Sequence, residues 1–168
     1  FKLPDINNCS VGVIGLGYVG LPLALEIAKI KVSLTSKEKL NRKVIGYDLN
    51  LQRIEELQNN YDNTNEITKN ELESLDRIIY TSDSSLLAEC DIFLVTVPTP
   101  INENKEPDLR ALKSASKTIS DILKVRNNFK KLASIIVYES TVYPGVIEDI
   151  CVPILQNSGL FYNKQFFC

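Results

Sequence analysis

A glycine-rich turn stands between a short apolar run and a helix-like segment near the start of the chain. Residues 11–14 form the apolar run, and Gly15-x-Gly17-x-x-Gly20 follows almost at once. A dinucleotide-binding turn needs this order, because the first glycine permits a tight turn and the second lets the backbone approach a pyrophosphate. The third glycine lets the helix pack closely on the strand, and the amides at the start of that helix face the phosphates. The alternative interpretation is a structural turn without a ligand.

Strand-like and helix-like segments alternate along all 168 residues. Continuous apolar runs are typical of parallel strands covered on both faces. We therefore predict an α/β fold, a Rossmann-type doubly wound parallel sheet of about six strands with helices on both faces. The predicted strands are 11–14, 43–47, 77–81, 91–97, 134–139 and 165–168. The predicted helices are 18–30, 50–59, 69–75, 84–89, 108–124 (with Asp108 as its N-cap) and 145–157, and the Asn-rich segment 59–68 is a predicted loop.

Composition and charge exclude several classes of protein. The net charge is −2, from 19 basic and 21 acidic residues mixed along the chain. Neither a basic stripe for nucleic acid nor a polybasic tract for a membrane surface is present. The apolar runs are too short to span a bilayer, and residues 1–10 do not read as a secretory signal. We expect one cytoplasmic domain, 1–168, with no nucleic-acid or membrane partner.

The chain contains no histidine and four cysteines, which restricts its chemistry. Histidine is the commonest general base and metal ligand, so these 168 residues must use other groups. Cys9, Cys90, Cys151 and Cys168 have no CxxC spacing, and we interpret them as reduced thiols with no metal site. The last three are expected to be small buried hydrophobes.

An acidic residue closes the second predicted strand. A carboxylate at the position of Asp48 hydrogen-bonds the adenosine ribose hydroxyls and repels the 2′-phosphate of NADP. Asp48 stands 33 positions after Gly15 (48 − 15), against about 20 in the usual fingerprint, and an insertion at 31–42 explains the excess. The alternative is that Asp48 only caps the following helix. One turn into that helix, Arg53 would lie near the ribose or a phosphate, or else be a solvated surface arginine.

Two further strand ends carry prolines and small hydroxyl side chains. The fourth predicted strand runs into Pro98 and Thr99, and the fifth runs into Ser140 and Thr141. Ligands of open α/β sheets bind at the carboxyl ends of strands, so these residues are candidate cofactor contacts. Thr141 could orient a water or a substrate oxygen beside the nicotinamide. Ordinary turns are the alternative, because proline, serine and threonine are frequent in turns.

Three motifs in this order resemble the N-terminal domain of UDP-glucose/UDP-N-acetylmannosamine dehydrogenases. They are Gly-Leu-Gly-Tyr-Val-Gly-Leu-Pro-Leu-Ala from Gly15, Val-Thr-Val-Pro-Thr-Pro-Ile-Asn from Val95 and Glu-Ser-Thr-Val-Tyr-Pro-Gly from Glu139. The third looks more like the branch that acts on UDP-N-acetylhexosamines for surface polysaccharide. The resemblance implies that the enzyme uses NAD to oxidise the C6 hydroxyl of a UDP-sugar to a carboxylate. This four-electron reaction gives a UDP-uronic acid.

The resemblance also implies roles for individual residues. By matching motifs, the NAD contacts would be Tyr18, Val19, Asp48, Arg53, Thr99 and Thr141. The full predicted cofactor-binding set adds Gly15, Gly17, Gly20, Pro98 and Ser140. Thr141, the predicted catalytic residue, would also lie near the reacting carbon and help to hold a water.

The same family places further catalytic groups outside a domain of this kind. Its lysine, asparagine and nucleophilic cysteine lie on a long central helix and in a UDP-sugar domain. We therefore expect a truncated domain, inactive alone, of a homodimeric enzyme. Two alternatives stay open, since one fold hosts many functions: another β-hydroxy-acid-type dehydrogenase, and a non-catalytic NAD-binding module.

Overall fold

Six parallel strands form one sheet in the computed structural model, which describes residues 1–75, 77–101 and 106–168. The strands are β1 (Ser10–Ile14), β2 (Lys43–Tyr47), β3 (Ile78–Thr81), β4 (Ile92–Val95), β5 (Ser134–Tyr138) and β6 (Phe166–Phe167). Their order in the sheet is β3-β2-β1-β4-β5-β6, and every neighbouring pair is parallel. The chain winds outward from β1 to β3 and then returns to wind the other way, which confirms the predicted doubly wound sheet.

Helical segments connect the strands. The α-helices are α1 (Gly20–Lys29), α2 (Leu51–Gln58), α3 (Lys69–Glu73), α4 (Arg110–Arg126) and α5 (Val152–Gln156). Two predicted α-helical segments take other forms, because Ser84–Glu89 is a 3₁₀-helix and Ile147–Cys151 is a π-helical turn that leads into α5. None of the helices in the described ranges is both long and apolar enough to cross a membrane.

The start of α4 differs from the sequence prediction. Its N-cap position is Leu109, so the prediction of Asp108 is wrong by one residue. The Asp108 carboxylate still accepts the Arg110 N–H at 3.0 Å, and it satisfies a helix-terminal amide from one position further out. The side-chain hydrogen bond from Arg110 lowers the pKa of Asp108 to about 2. Asn102, which ends the second motif, lies outside the described residues.

Apolar side chains from both faces of the sheet build two core layers. Successive residues of a strand point to opposite faces, so Val13 and Ile14 join different layers. The layer of Ile14 packs against α4, whose stripe of Leu112, Ile119 and Leu123 is fully buried. The layer of Val13 packs against α1 and α2. Burial on both faces explains why the strands read as continuous apolar runs.

A buried ion-pair cluster closes the amino end of β4. The Asp91 carboxylate accepts the Ser10 N–H at 3.0 Å, Nη2 of Arg126 at 2.7 Å and Nζ of Lys130 at 2.6 Å. Burial alone would raise the pKa of Asp91, but the hydrogen bonds from Lys130, Ser10 and Arg126 outweigh it and lower the pKa. The cluster fastens the end of α4 to the sheet, at the opposite edge from the carboxyl ends of the strands.

We expect acid to weaken the fold through Asp91. The carboxylate stabilises the folded state above its ordinary pKa of 3.8, and this contribution is lost as the pH falls through the lower folded pKa. Asp91→Asn should cost about 1.5 kcal/mol of the free energy of unfolding at pH 7. Its melting temperature should also fall less steeply on acidification than that of the wild type. Thermal melts followed by circular dichroism at pH 7 and below pH 4 test this, and parallel acid-induced losses in both proteins would contradict it.

Candidate cofactor-binding site

The carboxyl ends of four strands enclose a cleft at one edge of the sheet. The winding direction reverses between β1 and β4, and ligands of doubly wound sheets bind at this switch point. The cleft has a volume of about 580 Å³. Its lining consists of Gly15, Gly17, Tyr18, Val19, Asp48, Thr96, Val97, Pro98, Thr99, Glu139, Ser140 and Thr141. All predicted site residues except Gly20 and Arg53 therefore line one cavity.

The three glycines of the turn meet different surroundings. Gly15 has a φ of +94°, which only glycine adopts readily, and a Cβ there would lie 3.1 Å from the Thr96 carbonyl oxygen. A Cβ at Gly20 would overlap the Gly15 carbonyl oxygen, so this glycine is required by the close approach of α1 to the turn. A Cβ at Gly17 would meet nothing within 4 Å. The space over Gly17 is open towards the cleft and fits a pyrophosphate.

The start of α1 suits an anion. No side chain within the described ranges caps this helix, and its first turn contains no acidic residue. The first amides of an α-helix have no partner inside the helix and carry the positive end of its dipole. Tyr18 and Val19, which precede α1, are 68% and 57% exposed and line the cleft. In α1 the Leu21 N–H already donates to the Gly17 carbonyl oxygen at 3.2 Å and Pro22 has no N–H, so a phosphate group in the cleft would meet the Gly20 amide and the backbone of the turn before it.

Thr96 supports the glycine turn from β4, and the sequence analysis did not single it out. Its hydroxyl lies 2.7 Å from the Gly15 carbonyl oxygen and 3.0 Å from that of Ile14. Its backbone N–H also donates to Ile14 at 2.9 Å. A threonine directly after a buried strand, beside a glycine turn, is the signal that could have found it.

Asp48 joins the glycine turn to the end of β2. One carboxylate oxygen accepts the Leu16 N–H at 2.7 Å, and the other accepts the Asn50 N–H at 2.9 Å. Asn50 is the N-cap of α2, since its side chain accepts from the amides of Gln52 and Arg53. The interpretation of Asp48 as only a helix cap is therefore wrong. Residues 31–42 lie between α1 and β2, which accounts for the long spacing between Gly15 and Asp48.

A second, mostly apolar pocket of about 170 Å³ adjoins Asp48 between β2 and α4. Beyond residues shared with the cleft, its lining consists of Ile14, Tyr47, Leu49, Ala111, Ser114, Ala115 and Thr118. A flat aromatic base fits such a slot, with its ribose at the Asp48 carboxylate. Sequence analysis missed these residues. Ala111, Ser114 and Thr118 share one face of α4, and the small side chains on that face are a signal that the sequence offered.

Arg53 lies behind the turn. It is only 5% exposed, so its interpretation as a solvated surface arginine is wrong. Its Nε donates to the Leu16 carbonyl oxygen at 2.8 Å, and its Nη1 lies 2.8 Å from Oδ1 of Asp62. Arg53 lines neither of the two pockets described above. Direct contact between Arg53 and a cofactor stays a prediction.

The far wall of the cleft is tied together by hydroxyl groups. Ser140 Oγ donates to the Val97 carbonyl oxygen at 2.5 Å, and Thr99 Oγ1 donates to the Thr141 carbonyl oxygen at 2.7 Å. Both bonds cross between the loops after β4 and β5, so these hydroxyls are not confined to local turns. Thr141 and Pro98 both line the cleft, and both residues are exposed.

The cysteines take no part in the cleft. Cys9, Cys90 and Cys151 are buried, as predicted for the last two, and burial raises the pKa of Cys90 to about 12. The prediction that Cys168 is buried is wrong, because it follows the edge strand β6 and is exposed. Within the described ranges, no group of three or more His, Cys, Asp or Glu side chains could hold a metal ion.

Comparisons with known proteins agree with this geometry. Over 163 residues the chain is 43% identical to UDP-N-acetyl-D-glucosamine 6-dehydrogenase of Pseudomonas aeruginosa and 42% identical to that of Salmonella typhi. Each alignment covers 96% of this chain but 34% of the relative, so the chain spans about a third of their length. The crystal structure of GDP-mannose dehydrogenase from Pseudomonas aeruginosa has the same fold. Its TM-score is 0.78 at 22% identity, over 93% of this chain and 34% of that chain.

A family model extends over nearly the whole chain. It matches residues 9–165 and describes the NAD-binding domain of the UDP-glucose/GDP-mannose dehydrogenase family. The matched range contains the glycine turn, the Asp48 carboxylate and both hydroxyl-bearing loops of the cleft. The chain therefore belongs to the UDP-glucose/GDP-mannose dehydrogenase family, as its NAD-binding domain.

Proposed function

We propose that this chain is the cofactor domain of an enzyme that oxidises the C6 hydroxyl of a UDP-N-acetylhexosamine to a carboxylate. The product would be a UDP-uronic acid for surface polysaccharide. The observation that carries the proposal is the open space over Gly17 at the start of an uncapped helix, beside the Asp48 carboxylate. When bound, NAD supplies the two-electron acceptor, and a four-electron oxidation uses two molecules in succession.

Each part of the cofactor has residues suited to it. The pyrophosphate would lie over Gly17 and the Gly20 amide at the start of α1, and the adenosine ribose would donate to Asp48. The adenine would enter the apolar pocket between β2 and α4. The nicotinamide end would then point towards Thr99, Ser140 and Thr141 on the far wall.

Thr141 is the proposed contact between the cofactor site and the reacting carbon. It lines the cleft, and its backbone carbonyl is held by Thr99 while its side chain faces solvent. A threonine hydroxyl both donates and accepts, so it can orient a water or the substrate oxygen. Residues beyond this domain would supply the groups for covalent chemistry, because none of the described cysteines lines the cleft.

The identity of the sugar is the finer part of the proposal. It is supported by the relatives named above, which are UDP-N-acetyl-D-glucosamine 6-dehydrogenases, and by the third sequence motif from Glu139. We further propose a cytoplasmic homodimer, and the mixing of 19 basic with 21 acidic residues along the chain supports the absence of a nucleic-acid or membrane partner.

The proposal is tested with the protein as its gene encodes it. Purified protein is mixed with NAD and, in turn, UDP-N-acetylglucosamine, UDP-N-acetylmannosamine and UDP-glucose, and NADH is followed by absorbance. We expect two NADH per molecule of a UDP-N-acetylhexosamine, with UDP-glucose a poor substrate. Oxidation of a 2- or 3-hydroxy acid instead would favour the β-hydroxy-acid-type dehydrogenase. Tight NAD binding with no oxidation of any of these would favour the non-catalytic module.

Asp48→Ala should weaken NAD binding about tenfold, because the ribose loses a charged acceptor worth about 1.4 kcal/mol. Discrimination against NADP should shrink, since the repulsive charge is also lost. Calorimetric titration with each cofactor measures both effects. Asp48→Asn is the matched control, because it keeps one acceptor, for the Leu16 N–H, and loses the charge together with the acceptor for the Asn50 N–H. Unchanged affinity for both cofactors in Asp48→Ala would contradict a role at the ribose.

A further inference from the structure

The loop at 59–68 folds around one buried carboxylate. The side chain of Asp62 is 0% exposed. One of its oxygens accepts the N–H and the hydroxyl of Thr64 at 3.1 and 2.7 Å, and the other accepts the amides of Glu66 and Ile67 at 3.0 Å each. Burial alone would raise the pKa of Asp62, but hydrogen bonds from Thr64, Ile67 and Arg53 lower it. Asp62 is therefore a fixed, buried negative charge at neutral pH.

That charge faces Arg53, whose side chain is 6% exposed. Nη1 of Arg53 lies 2.8 Å from Oδ1 of Asp62 and 2.9 Å from Oδ1 of Asn63, and the Glu56 carboxylate is 3.9 Å away. A buried guanidinium needs such partners, because an unpaired buried charge is costly. The loop at 59–68 therefore sets the position of Arg53.

Arg53 in turn holds one peptide group of the glycine turn. Leu16 is clamped on both sides, since its N–H donates to Asp48 at 2.7 Å and its carbonyl oxygen accepts Nε of Arg53 at 2.8 Å. In a planar trans peptide the carbonyl and the following N–H point in opposite directions. Fixing the Leu16 carbonyl on Arg53 therefore directs the Gly17 N–H away from Arg53, and Gly17 lines the cleft.

We propose that Asp62 is a positioning residue of the NAD site, which acts through Arg53 to hold the Gly17 N–H in place for the pyrophosphate. A donor that is already fixed loses no conformational entropy when the ligand binds. The network therefore raises the affinity for NAD without touching the cofactor. The inference rests on NAD occupying the cleft, and it does not depend on which substrate is oxidised.

The test compares two equally buried aspartates that each pair with an arginine. Asp62→Asn removes the charge that holds Arg53, whereas Asp91→Asn removes its counterpart beside Arg126 at the opposite edge of the sheet. Each variant is titrated with NAD, which carries the pyrophosphate, and with adenosine, which lacks it. We expect Asp62→Asn to weaken NAD binding on the order of tenfold and to leave adenosine binding unchanged. Asp91→Asn should bind both ligands like the wild type, despite its lower melting temperature.

Arg53→Lys provides a second variant should Asp62→Asn fail to fold. A lysine keeps the positive charge beside Asp62 but cannot also reach the Leu16 carbonyl with a second donor in fixed geometry, so the same selective loss of NAD affinity is expected. In the enzyme encoded by the gene, either change should raise KM for NAD with little change in kcat.

Three outcomes would overturn the positioning role. They are wild-type NAD affinity in folded Asp62→Asn, equal losses for NAD and adenosine, and no NAD binding by the wild type. The proposed function fails differently, because it predicts oxidation of a UDP-sugar. Normal NAD binding with the expected selectivity, but no UDP-sugar oxidation, would overturn that proposal and leave the role of Asp62 intact.

Discussion

Gly17→Val is expected to abolish measurable NAD binding while the sheet stays folded. A Cβ at Gly17 meets nothing within 4 Å, and the residue does not have a positive φ, so the fold accommodates a side chain there. The isopropyl group instead fills the space that the pyrophosphate needs over the turn. We expect a loss of more than about 100-fold in affinity, which corresponds to about 2.7 kcal/mol. Calorimetric titration with NAD measures the loss, and a thermal melt by circular dichroism reports the fold.

Adenosine provides the internal control for this variant. It lacks the pyrophosphate and would occupy only the apolar pocket and Asp48, so Gly17→Val should leave its binding unchanged. Gly17→Ala, with a smaller side chain, should show an intermediate loss of NAD affinity. Normal NAD binding by folded Gly17→Val would mean that the turn is structural and that the cofactor lies elsewhere.

The sheet could be predicted from the sequence because its inner strands pack apolar side chains on both faces, although the edge strand β3 leaves Ile79 exposed. A strand covered on both faces needs an unbroken apolar run, and apolar runs located all the strands except β4 within one residue of their observed ends. The end of β4 was placed two residues too late. The Thr96 N–H still donates to Ile14 of β1 while its hydroxyl bonds the glycine turn, and Val97 packs on the core from the loop. The sequence therefore stays apolar as far as Val97, although β4 ends at Val95.

The type of each helix was harder to predict from the sequence than its position. The hydrophobic pattern placed a helix over 145–157, but it could not reveal the π-helical turn Ile147–Cys151. Pro153 follows that turn and lacks the amide that would bond the Asp149 carbonyl in an α-helix. The 3₁₀-helix at Ser84–Glu89 is likewise a matter of hydrogen-bond register, which composition does not encode.

Site residues could be predicted where the chemistry belongs to a strand end, and not where it depends on distant contacts. The glycine turn, Asp48 and Thr141 all follow strands, so a parallel sheet brings them to one edge. Asp62 reaches the same turn only through Arg53, and no local pattern in the loop indicates that contact. Arg53 itself could be placed near the site from its helix, but its burial depends on the folded loop.

Gly20→Ala should destabilise the fold although alanine is the better helix former. Gly20 begins α1, and helix propensity alone would favour alanine by about 1 kcal/mol. The added Cβ would overlap the Gly15 carbonyl oxygen and the Thr96 hydroxyl, so α1 must move away from the turn. Overpacking that forces the backbone to shift costs about 3 kcal/mol. The steric cost exceeds the gain by about 2 kcal/mol, so the melting temperature should fall by about 4–8 °C.

Gly17→Ala is the matched control for that result, because it places the same methyl group three residues earlier in open space. It should leave the melting temperature close to that of the wild type and weaken only NAD binding. Gly20→Ala should weaken both, since moving α1 also displaces the amides that face the pyrophosphate. Equal melting temperatures for the two variants would show that the turn moves to accommodate a side chain at position 20 without loss of stability. Close packing of α1 on the turn would then not be what requires a glycine at this position.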